Sequence, residues 1–290
     1  LASGLREGLA NLFKIFGGWA SDRYGKRKFF ILLGYVLSSI FKFFIAFANS
    51  WYWLVAFVSL ERFGKFRDAP RDAVVSYSKK TTGKNLGIVD MMDTLGGIVG
   101  TLIVLVLFWK FAFDLKKVIL IAAIVAVLSP LPIFFVKEPK IKPMKKSLGK
   151  SITDLSGRLK YFVFVSSVFT FCNFGLYFFL VLTAKNLTNS IIISLLFFAL
   201  YNISHAIFAI PFGKLSDNVG RKSVLLAGFS LFFAILLGFA FLSGITWLIV
   251  LFVLYGLVYA ITGPAQRALV ADLSDNMKAT AFGFFYTATG

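Results

Sequence analysis

The sequence predicts an all-α protein that crosses a membrane many times. Its 290 residues are 58% hydrophobic and only 15% charged, with a mean hydropathy of +0.82, whereas about 25% of the residues in soluble domains are charged. About ten apolar stretches approach the roughly 20 residues that a helix needs to span a bilayer. One short polar motif also occurs twice in the chain. Together these observations indicate helices arranged in two related halves.

The apolar stretches give the predicted helices in chain order. Residues 137–158 are basic, contain proline and hold few apolar side chains, so we expect a linker loop between an N-terminal half (1–136) and a C-terminal half (159–290). The predicted helices are Leu5–Trp19, Phe29–Ala48, Trp51–Pro70, Gly87–Trp109, Val118–Val136, Leu159–Thr183, Ile191–Phe212, Val224–Leu242, Thr246–Leu269 and the start of another helix at Ala279.

The repeated motif lies between two apolar stretches in each half. It reads GWASDRYGKRK from Gly18 to Lys28 and GKLSDNVGRK from Gly213 to Lys222, a displacement of 195 positions (213 − 18). Two helices that meet in a sharp turn need glycines, because glycine tolerates positive φ and close approach. An aspartate at such a turn can face the positive N-terminal end of a neighbouring helix. The basic residues behind the aspartate mark the membrane surface.

The motif resembles the signature loop of the major facilitator superfamily, which joins helices 2 and 3 and, in the second half, helices 8 and 9. The stretches GKFRDAPRDAVVSYS (64–78) and LGIVDMMDTLGG (86–97) also resemble bacterial and archaeal members. The resemblance covers nearly the whole chain and implies an all-α membrane protein with two pseudo-symmetric six-helix bundles. Of twelve helices in that arrangement we expect about ten here, helices 2 to 6 and 7 to the start of 11, without the first and the last.

The resemblance implies a secondary active transporter that moves a small organic solute by alternating access, coupled to protons, with uptake or efflux left open. The alternative is a transporter-like receptor or regulator that binds ligand without net flux. In the family's arrangement Asp22 would dock on the N-terminal end of helix 11 near Ala279, and Asp217 on that of helix 5 near Gly87. The residues expected to form this conformational latch are Gly18, Asp22, Arg23, Gly25, Lys26, Arg27, Gly213, Asp217, Gly220, Arg221 and Lys222.

Charged residues inside predicted spans are functional candidates, because a charge in lipid is costly unless it is paired or faces water. Glu61 follows Trp51 by ten residues, which at 1.5 Å per residue places it roughly 15 Å deep. It could pair with Lys65 one turn later. For Arg67, an ion pair with an aspartate of the next helix is the alternative to substrate contact. The candidates for intramembrane charge or coupling are Glu61, Arg62, Arg67, Arg71, Asp90, Asp93 and His205.

Asp90 and Asp93 share one helix face near the start of a predicted helix. Either the helix dipole alone stabilises them, or they serve in proton transfer or gating. His205 titrates in a range that suits proton coupling, although a hydrogen-bonded packing histidine is the simpler alternative. Because the family packs helix 5 against helix 8, Asp93 and His205 could meet.

The GxxxG pattern in Gly96–Gly100 predicts close helix packing.

The loop cations predict the topology. Loops on the motif side carry 19 Lys and Arg residues and the opposite loops carry 4, so the positive-inside rule places the motif turns on the cytoplasmic side of the cell (plasma or inner) membrane. Cations confined to such loops argue against a nucleic-acid partner despite the net charge of +18. The expected partners are a small-molecule substrate, the lipid bilayer and protons. Asn173 and Asn202 are the mid-span candidates for the substrate cavity.

The sequence does not predict an enzyme. It lacks a GxSxG or Walker-type motif, and its one histidine cannot build a multi-histidine metal site. Cys172 is the single cysteine, so no internal disulfide is possible. We therefore expect no catalytic residues, no cofactor and no metal.

Overall fold

The computed structural model describes residues 2–78, 80–139, 141–173, 182, 191–241 and 244–290, and all regular elements within these ranges are helices. A short 3₁₀ turn, Gly64–Arg67, joins two of the helices. The α-helices are α1 (Ala2–Tyr24), α2 (Arg27–Ala46), α3 (Trp51–Phe63), α4 (Asp68–Val75), α5 (Thr82–Phe111), α6 (Leu115–Leu128), α7 (Leu131–Phe134), α8 (Leu148–Thr153), α9 (Gly157–Asn173), α10 (Ile191–Val219), α11 (Arg221–Phe241), α12 (Ile245–Leu273) and α13 (Lys278–Thr289).

Most of the predicted helices coincide with these elements but are too short at several ends. The predicted helix Val118–Val136 is instead two helices, α6 and α7, separated by a turn at Ser129 and Pro130. Helix α5 begins at Thr82 rather than Gly87, and α10 continues to Val219 rather than ending at Phe212. Hydropathy marks only the apolar part of a helix, and polar turns beyond it remain helical wherever their side chains reach water or a partner. Of the predicted segments, residues 174–181 and 183 and Leu242 lie outside the described residues.

The predicted helix Trp51–Pro70 is in fact two helices with a tight turn between them. Helix α3 ends at Phe63, the chain tightens into the 3₁₀ turn, and α4 continues to Val75. The sequence predicted that the helix ends at Pro70, but the structure shows that it does not. It lies in the first turn of α4, where a proline is tolerated because it interrupts few intrahelical hydrogen bonds.

Six segments of the described chain are long and apolar enough to cross a membrane. Large apolar side chains along them are exposed, such as Trp109 at 91% and Phe241 at 82%, which is unfavourable in water but not in lipid. The chain is therefore a multi-pass membrane protein. The six segments are Arg27–Ala46, Thr82–Phe111, Leu115–Phe134, Leu196–Val219, Arg221–Phe241 and Ile245–Leu273.

The packed chain forms two compact units, and each takes residues from both halves of the sequence. The first contains Leu1–Tyr77, Ile103–Ser167 and Val270–Gly290; the second contains Ser78–Leu102 and Val168–Leu269. The C-terminal helix α13 thus belongs to the first unit, and the beginning of α5 to the second. The sequence division into 1–136, 137–158 and 159–290 stays a prediction.

Each unit has its own apolar core. In the first, the fully buried Leu159 of α9 and Phe282 of α13 pack with Ala69 and Ala73 of α4. In the second, Phe252 and Tyr255 of α12 are fully buried and pack with residues of α10 and α11. Small alanines on α4 let neighbouring helices approach, which brings the polar end of that helix close to the first copy of the repeated motif.

Candidate functional site

Both copies of the motif form a sharp turn between two helices. Gly25, with φ of +68°, separates α1 from α2, and Gly220, with φ of +106°, separates α10 from α11. Both values fall in the left-handed region, where a side chain is strained. The second glycine of each copy is therefore needed for the turn itself.

In the first copy, the carboxylate of Asp22 binds the beginning of α13. Its Oδ2 accepts the backbone N–H of Thr280 at 2.8 Å and the Thr280 hydroxyl at 2.9 Å. Its Oδ1 lies 2.9 Å from the guanidinium of Arg27, and the Asp22 side chain is only 1% exposed. An anion is stabilised here because the first N–H groups of a helix lack intrahelical partners. Asp22, Arg27 and Thr280 form what we call the first motif site.

The first motif site also holds the C-terminal end of α4. Arg27 donates a second hydrogen bond, 3.2 Å long, to the carbonyl oxygen of Ala73. Lys278, the first residue of α13, donates to the carbonyl of Ser76 at 3.0 Å. The last carbonyls of a helix are unsatisfied and carry partial negative charge, so both cations complement them. Three elements therefore meet at this site: the α1–α2 turn, α4 and α13.

In the second copy, Asp217 binds the beginning of α5. Its Oδ1 accepts the backbone N–H of Gly83 at 2.9 Å, and its Oδ2 that of Lys84 at 2.8 Å. Arg221 forms an ion pair with the same carboxylate and donates to Ser216 Oγ at 3.1 Å. Asp217, Arg221, Gly83 and Lys84 form the second motif site, in which two consecutive N–H groups replace the N–H and hydroxyl of Thr280.

The first glycine of each copy allows two backbones to touch. A Cβ on Gly18 would overlap the carbonyl of Ala279, and a Cβ on Gly213 would overlap the carbonyl of Gly83. Any side chain there would push the paired helices apart and lengthen the hydrogen bonds of the aspartate.

The cation that pairs with each aspartate differs in register between the two copies. Arg27 lies five positions after Asp22, whereas Arg221 lies four positions after Asp217. Each aspartate thus pairs with an arginine rather than with the lysine beside it, because a guanidinium can donate to two acceptors at once. The exposed Lys26 and Lys222 lie outside the two sites, and Arg23 lies over the Trp19 ring at 5.0 Å.

A further buried cluster in the first unit was not anticipated from the sequence. Lys14 Nζ lies 3.2 Å from Asp68 Oδ2 and 4.5 Å from the ring centre of Tyr286. The Tyr286 hydroxyl donates to Asp72, which is fully buried and also accepts from Arg71 at 3.0 Å. The available signal was a lysine within an apolar stretch together with two aspartates one turn apart. Of the sequence-predicted residues, only Arg71 lies here.

The deeper charged residues around the 3₁₀ turn bind groups of α2 and of the turn itself. Glu61 accepts from Ser38 Oγ at 2.8 Å and lies 3.4 Å from Arg62. Arg67 donates to the carbonyls of Gly34 at 3.3 Å and Gly64 at 3.0 Å, and its guanidinium lies 4.1 Å from the centre of the Tyr35 ring. In these contacts Arg67 binds backbone carbonyls and a ring, not the aspartate of the expected ion pair. It connects α2 to the 3₁₀ turn between α3 and α4.

In the second unit, Asp90 of α5 forms an ion pair with Arg267 of α12. Arg267 also donates to the carbonyls of Gly263 at 3.3 Å and Leu86 at 3.4 Å. Gly263 leaves room for the carboxylate, because a Cβ there would come within 2.9 Å of Asp90 Oδ2. Arg267 was counted with the motif-side cations, but it lies inside α12, which continues six residues beyond it to Leu273.

His205 lies near this pair, on α10. Its Nδ1 is 3.3 Å from Thr94 Oγ1, so α5 and α10 meet at these two residues, one position from the expected Asp93. Tyr201 and Tyr259 flank the imidazole, with ring centres 6.5 and 6.2 Å away. A Cβ on Gly96, Gly97 or Gly100 would meet nothing within 4 Å among the residues that the structure describes, so the GxxxG packing stays a prediction.

The two asparagines have different surroundings. Asn173 donates to the Tyr259 hydroxyl at 2.6 Å and accepts from Tyr255 at 2.7 Å, which links α9 to α12. Asn202 donates to the carbonyl of Phe198 in its own helix at 2.9 Å. Asn173 therefore belongs to a polar network that includes two tyrosines, whereas Asn202 contacts its own backbone.

A family model described as Major Facilitator Superfamily matches residues 2–290. The chain belongs to the major facilitator superfamily. An uncharacterized MFS-type transporter of Methanocaldococcus jannaschii is 42% identical over 300 residues, which cover all of this chain and 75% of the relative.

Solved major facilitator structures share the fold. The human organic anion transporter MFSD10 (TETRAN) superimposes with a TM-score of 0.86 at 16% identity, over 99% of this chain and 74% of that one. The E. coli fucose:proton symporter FucP gives 0.80 at 13% identity, over 99% and 80% of the two chains. The proton:xylose symporter XylE gives 0.72 at 15% identity, over 98% and 74%. At these identities the likeness shows the major facilitator fold alone.

Proposed function

We propose that this major facilitator chain is a secondary active transporter that moves a small organic solute by alternating access, coupled to protons. The observation that carries the proposal is the matched pair of motif sites. In each one a buried aspartate binds the N-terminal end of a helix that lies elsewhere in the sequence, through bonds to two donors. Such bonds can be broken and remade without unfolding any helix, as alternating access requires.

The two motif sites act as latches in this proposal. Hydrogen bonds to a charged group contribute about 1.5–3 kcal/mol each, so a closed latch biases the conformational equilibrium by several kcal/mol. Substrate binding must supply a comparable difference in affinity between the two states to open it. The latch aspartates themselves need not touch the substrate.

For proton coupling we propose the group around His205, with Asp90 and Asp93 of α5. Ionisable residues within a span are costly and are retained for function, and histidine titrates near neutral pH. Thr94 of α5 contacts the imidazole, and Asp90, four residues earlier on the same helix, pairs with Arg267. Two solved relatives are proton symporters by name, which supports this choice of driving ion. Asn173 and Asn202 stay the proposed substrate-cavity residues.

For topology we propose that the motif turns face the cytoplasm of the cell membrane. Without Arg267, which lies inside α12 and pairs with Asp90, the motif-side loops and helix ends still hold 18 of the counted cations (19 − 1) against 4 on the opposite side. The two halves, 1–136 and 159–290, would move about the linker 137–158. The proposal includes neither an enzymatic step nor a nucleic-acid partner.

The test is solute flux in proteoliposomes that contain a pH-sensitive dye. The protein is reconstituted and challenged with sugars, organic acids, amino acids and lipophilic cations. Proton movement triggered by one solute class, and lost in Asp93→Asn, supports a proton-coupled carrier. Labelled-solute flux without a dye response rejects proton coupling. Measurable solute binding without any flux supports the receptor alternative instead.

A further inference from the structure

The linker, residues 137–158, is bound to the first motif turn. The backbone N–H of Met144 donates to the carbonyl of Asp22 at 3.2 Å. Trp19 Nε1 donates to the carbonyl of Lys146 at 3.1 Å, and the N–H of Lys28 to Glu138 Oε1 at 3.0 Å. These bonds give the linker a defined position on the first unit, and with it a defined outer surface.

Apolar side chains face inward from the linker. Leu155 is 4% exposed and belongs to the core of the first unit, and Met144 packs against the same core. Ser156 Oγ donates to the carbonyl of Leu273 at 3.1 Å. The linker is therefore two-sided, with its apolar residues covered and its outer side open to the surroundings.

The cations in and beside the linker divide into two groups. Lys28 and Lys146 are engaged: Lys28 Nζ donates to the carbonyl of Phe134 at 2.8 Å, and Lys146 Nζ lies 2.6 Å from Asp154. The side chains of the other group are exposed and make no hydrogen bond or ion pair with the part of the chain that the structure describes. This second group, the basic face, consists of Lys137, Lys142, Lys145, Lys150 and Arg158.

The acidic residues of the linker, Glu138 and Asp154, compensate only part of its positive charge. Glu138 accepts from the backbone of Lys28. The hydrogen bond from Lys146 lowers the pKa of the Asp154 carboxyl below its ordinary value, so this carboxylate stays ionised and bound to Lys146 at neutral pH. The five cations of the basic face therefore remain an excess of positive charge on this surface.

Exposed aromatic residues place the two ends of the linker at the membrane interface. Phe134 and Phe135, just before Lys137, are 62% and 89% exposed, and Tyr161 and Phe164, just after Arg158, are 71% and 66% exposed. The first pair lies at the end of the candidate span Leu115–Phe134, and tyrosine is enriched at membrane–water interfaces. The neighbouring cations then lie at the level of the lipid head groups.

We propose that the basic face binds the head groups of anionic lipids. Lysine acts as a point charge toward phosphate, and cations beside a membrane helix gain binding energy from a negatively charged leaflet. Lipid is the partner favoured by the position of the surface, because the aromatic residues at both ends hold it against the bilayer. Since the linker is bonded to Trp19 and Asp22, bound lipid also stabilises the first motif turn. This inference goes beyond transport and does not depend on it.

The test compares two triple variants of matched charge. In one, Lys137→Gln, Lys142→Gln and Lys145→Gln remove part of the basic face. In the other, Lys110→Gln, Lys116→Gln and Lys117→Gln remove exposed lysines at the opposite ends of the spans. Each protein is reconstituted in nanodiscs of phosphatidylcholine mixed with phosphatidylglycerol and released for native mass spectrometry, which counts the lipids retained.

We expect the first triple variant to retain about tenfold less phosphatidylglycerol than the unmodified protein, with retention of phosphatidylcholine unchanged. The second triple variant should behave as the unmodified protein. Lys→Arg changes at the same three linker positions should preserve retention, because the charge is kept. Equal loss in both Gln variants, or none in either, would overturn the proposal.

Discussion

The Asp22 carboxylate receives both hydrogen-bond donors of Thr280, the backbone N–H at 2.8 Å and the hydroxyl at 2.9 Å. One acceptor oxygen thus holds the beginning of α13, while the other oxygen pairs with Arg27 at 2.9 Å. The first motif site therefore needs a group with two acceptor oxygens and a full negative charge.

Asp22→Asn should weaken the first motif site without unfolding the protein. The amide keeps one acceptor oxygen but presents N–H groups to either Thr280 or Arg27, and it loses the charge-assisted bonds, worth about 1.5–3 kcal/mol each. We expect transport turnover to fall by about tenfold or more, with solute binding retained. Hydrogen exchange at the Thr280 amide should accelerate in parallel. The exposed Asp275→Asn, close to the same helix, is the control. Unchanged turnover and exchange in Asp22→Asn would remove the latch from the mechanism.

Exchanging the two cations of the first motif should show that the site depends on an arginine at position 27. The double variant Lys26→Arg, Arg27→Lys moves the guanidinium away from the position that reaches both Asp22 and the Ala73 carbonyl. We expect a loss of about 1–2 kcal/mol in the stability of the site, because lysine cannot donate as a planar fork. Exchange at the Thr280 amide reports this directly. Lys26→Gln alone should change it little, and equal effects of the two variants would contradict the assignment of Arg27.

Gly18→Ala and Gly213→Ala should both separate the paired helices. The new methyl groups would overlap the carbonyls of Ala279 and Gly83, and overpacking of this kind costs about 1–3 kcal/mol. Gly97→Ala is the matched control, since a Cβ there meets nothing within 4 Å of the described structure. Thermal unfolding in detergent should therefore shift downward for the first two variants only. A comparable shift in Gly97→Ala would point to a general effect of losing a glycine.

Tyr286→Phe should destabilise the cluster that links α1, α4 and α13. The change keeps the aromatic ring over Lys14 but removes the hydroxyl that donates to the fully buried Asp72. A buried carboxylate that loses a donor costs about 1–3 kcal/mol, which unfolding in detergent can measure. The exposed Tyr24→Phe supplies the control, being the same chemical change at a surface position. Equal stability of the two variants would show that the hydroxyl contributes little.

His205→Gln tests the proposed proton coupling. Glutamine can still hydrogen-bond Thr94 but cannot bind a proton near neutral pH, so packing is preserved while titration is lost. We expect the pH dependence of solute uptake to flatten, with solute exchange at equal pH unaffected. An unchanged pH profile would assign His205 to packing and leave Asp90 and Asp93 as the remaining proposed coupling groups.

The sequence predicted what repeats and missed what lies far apart in the chain. The aspartates, glycines and basic residues of the motif were visible because two copies could be compared. Their partners were predicted only approximately, since Asp217 binds Gly83 and Lys84 rather than the neighbourhood of Gly87. Arginine was also not distinguished from the adjacent lysine, because that choice depends on where the Ala73 carbonyl lies.

The pair of Asp90 with Arg267 and the contact of Asp72 with Tyr286 join residues that are distant in the sequence. The prediction ended α12 at Leu269, four residues before its observed end at Leu273, and gave no partner for Arg267. Lys14 and Tyr286 carried no local signal of the partners that they find in the folded chain. Such pairings depend on which helix faces meet, and a single sequence does not contain that information.

The glycine contacts at the two motif sites also determine how these helices can part. Where side chains interlock, each must leave its rotamer before two helices move, and this adds friction to every step. At Gly18 and Gly213 the backbones touch directly, so nothing has to be disentangled. At these positions two backbones lie against each other without interlocking side chains, and a few hydrogen bonds join them. Opening there then requires chiefly that water replace the hydrogen bonds of the two aspartates.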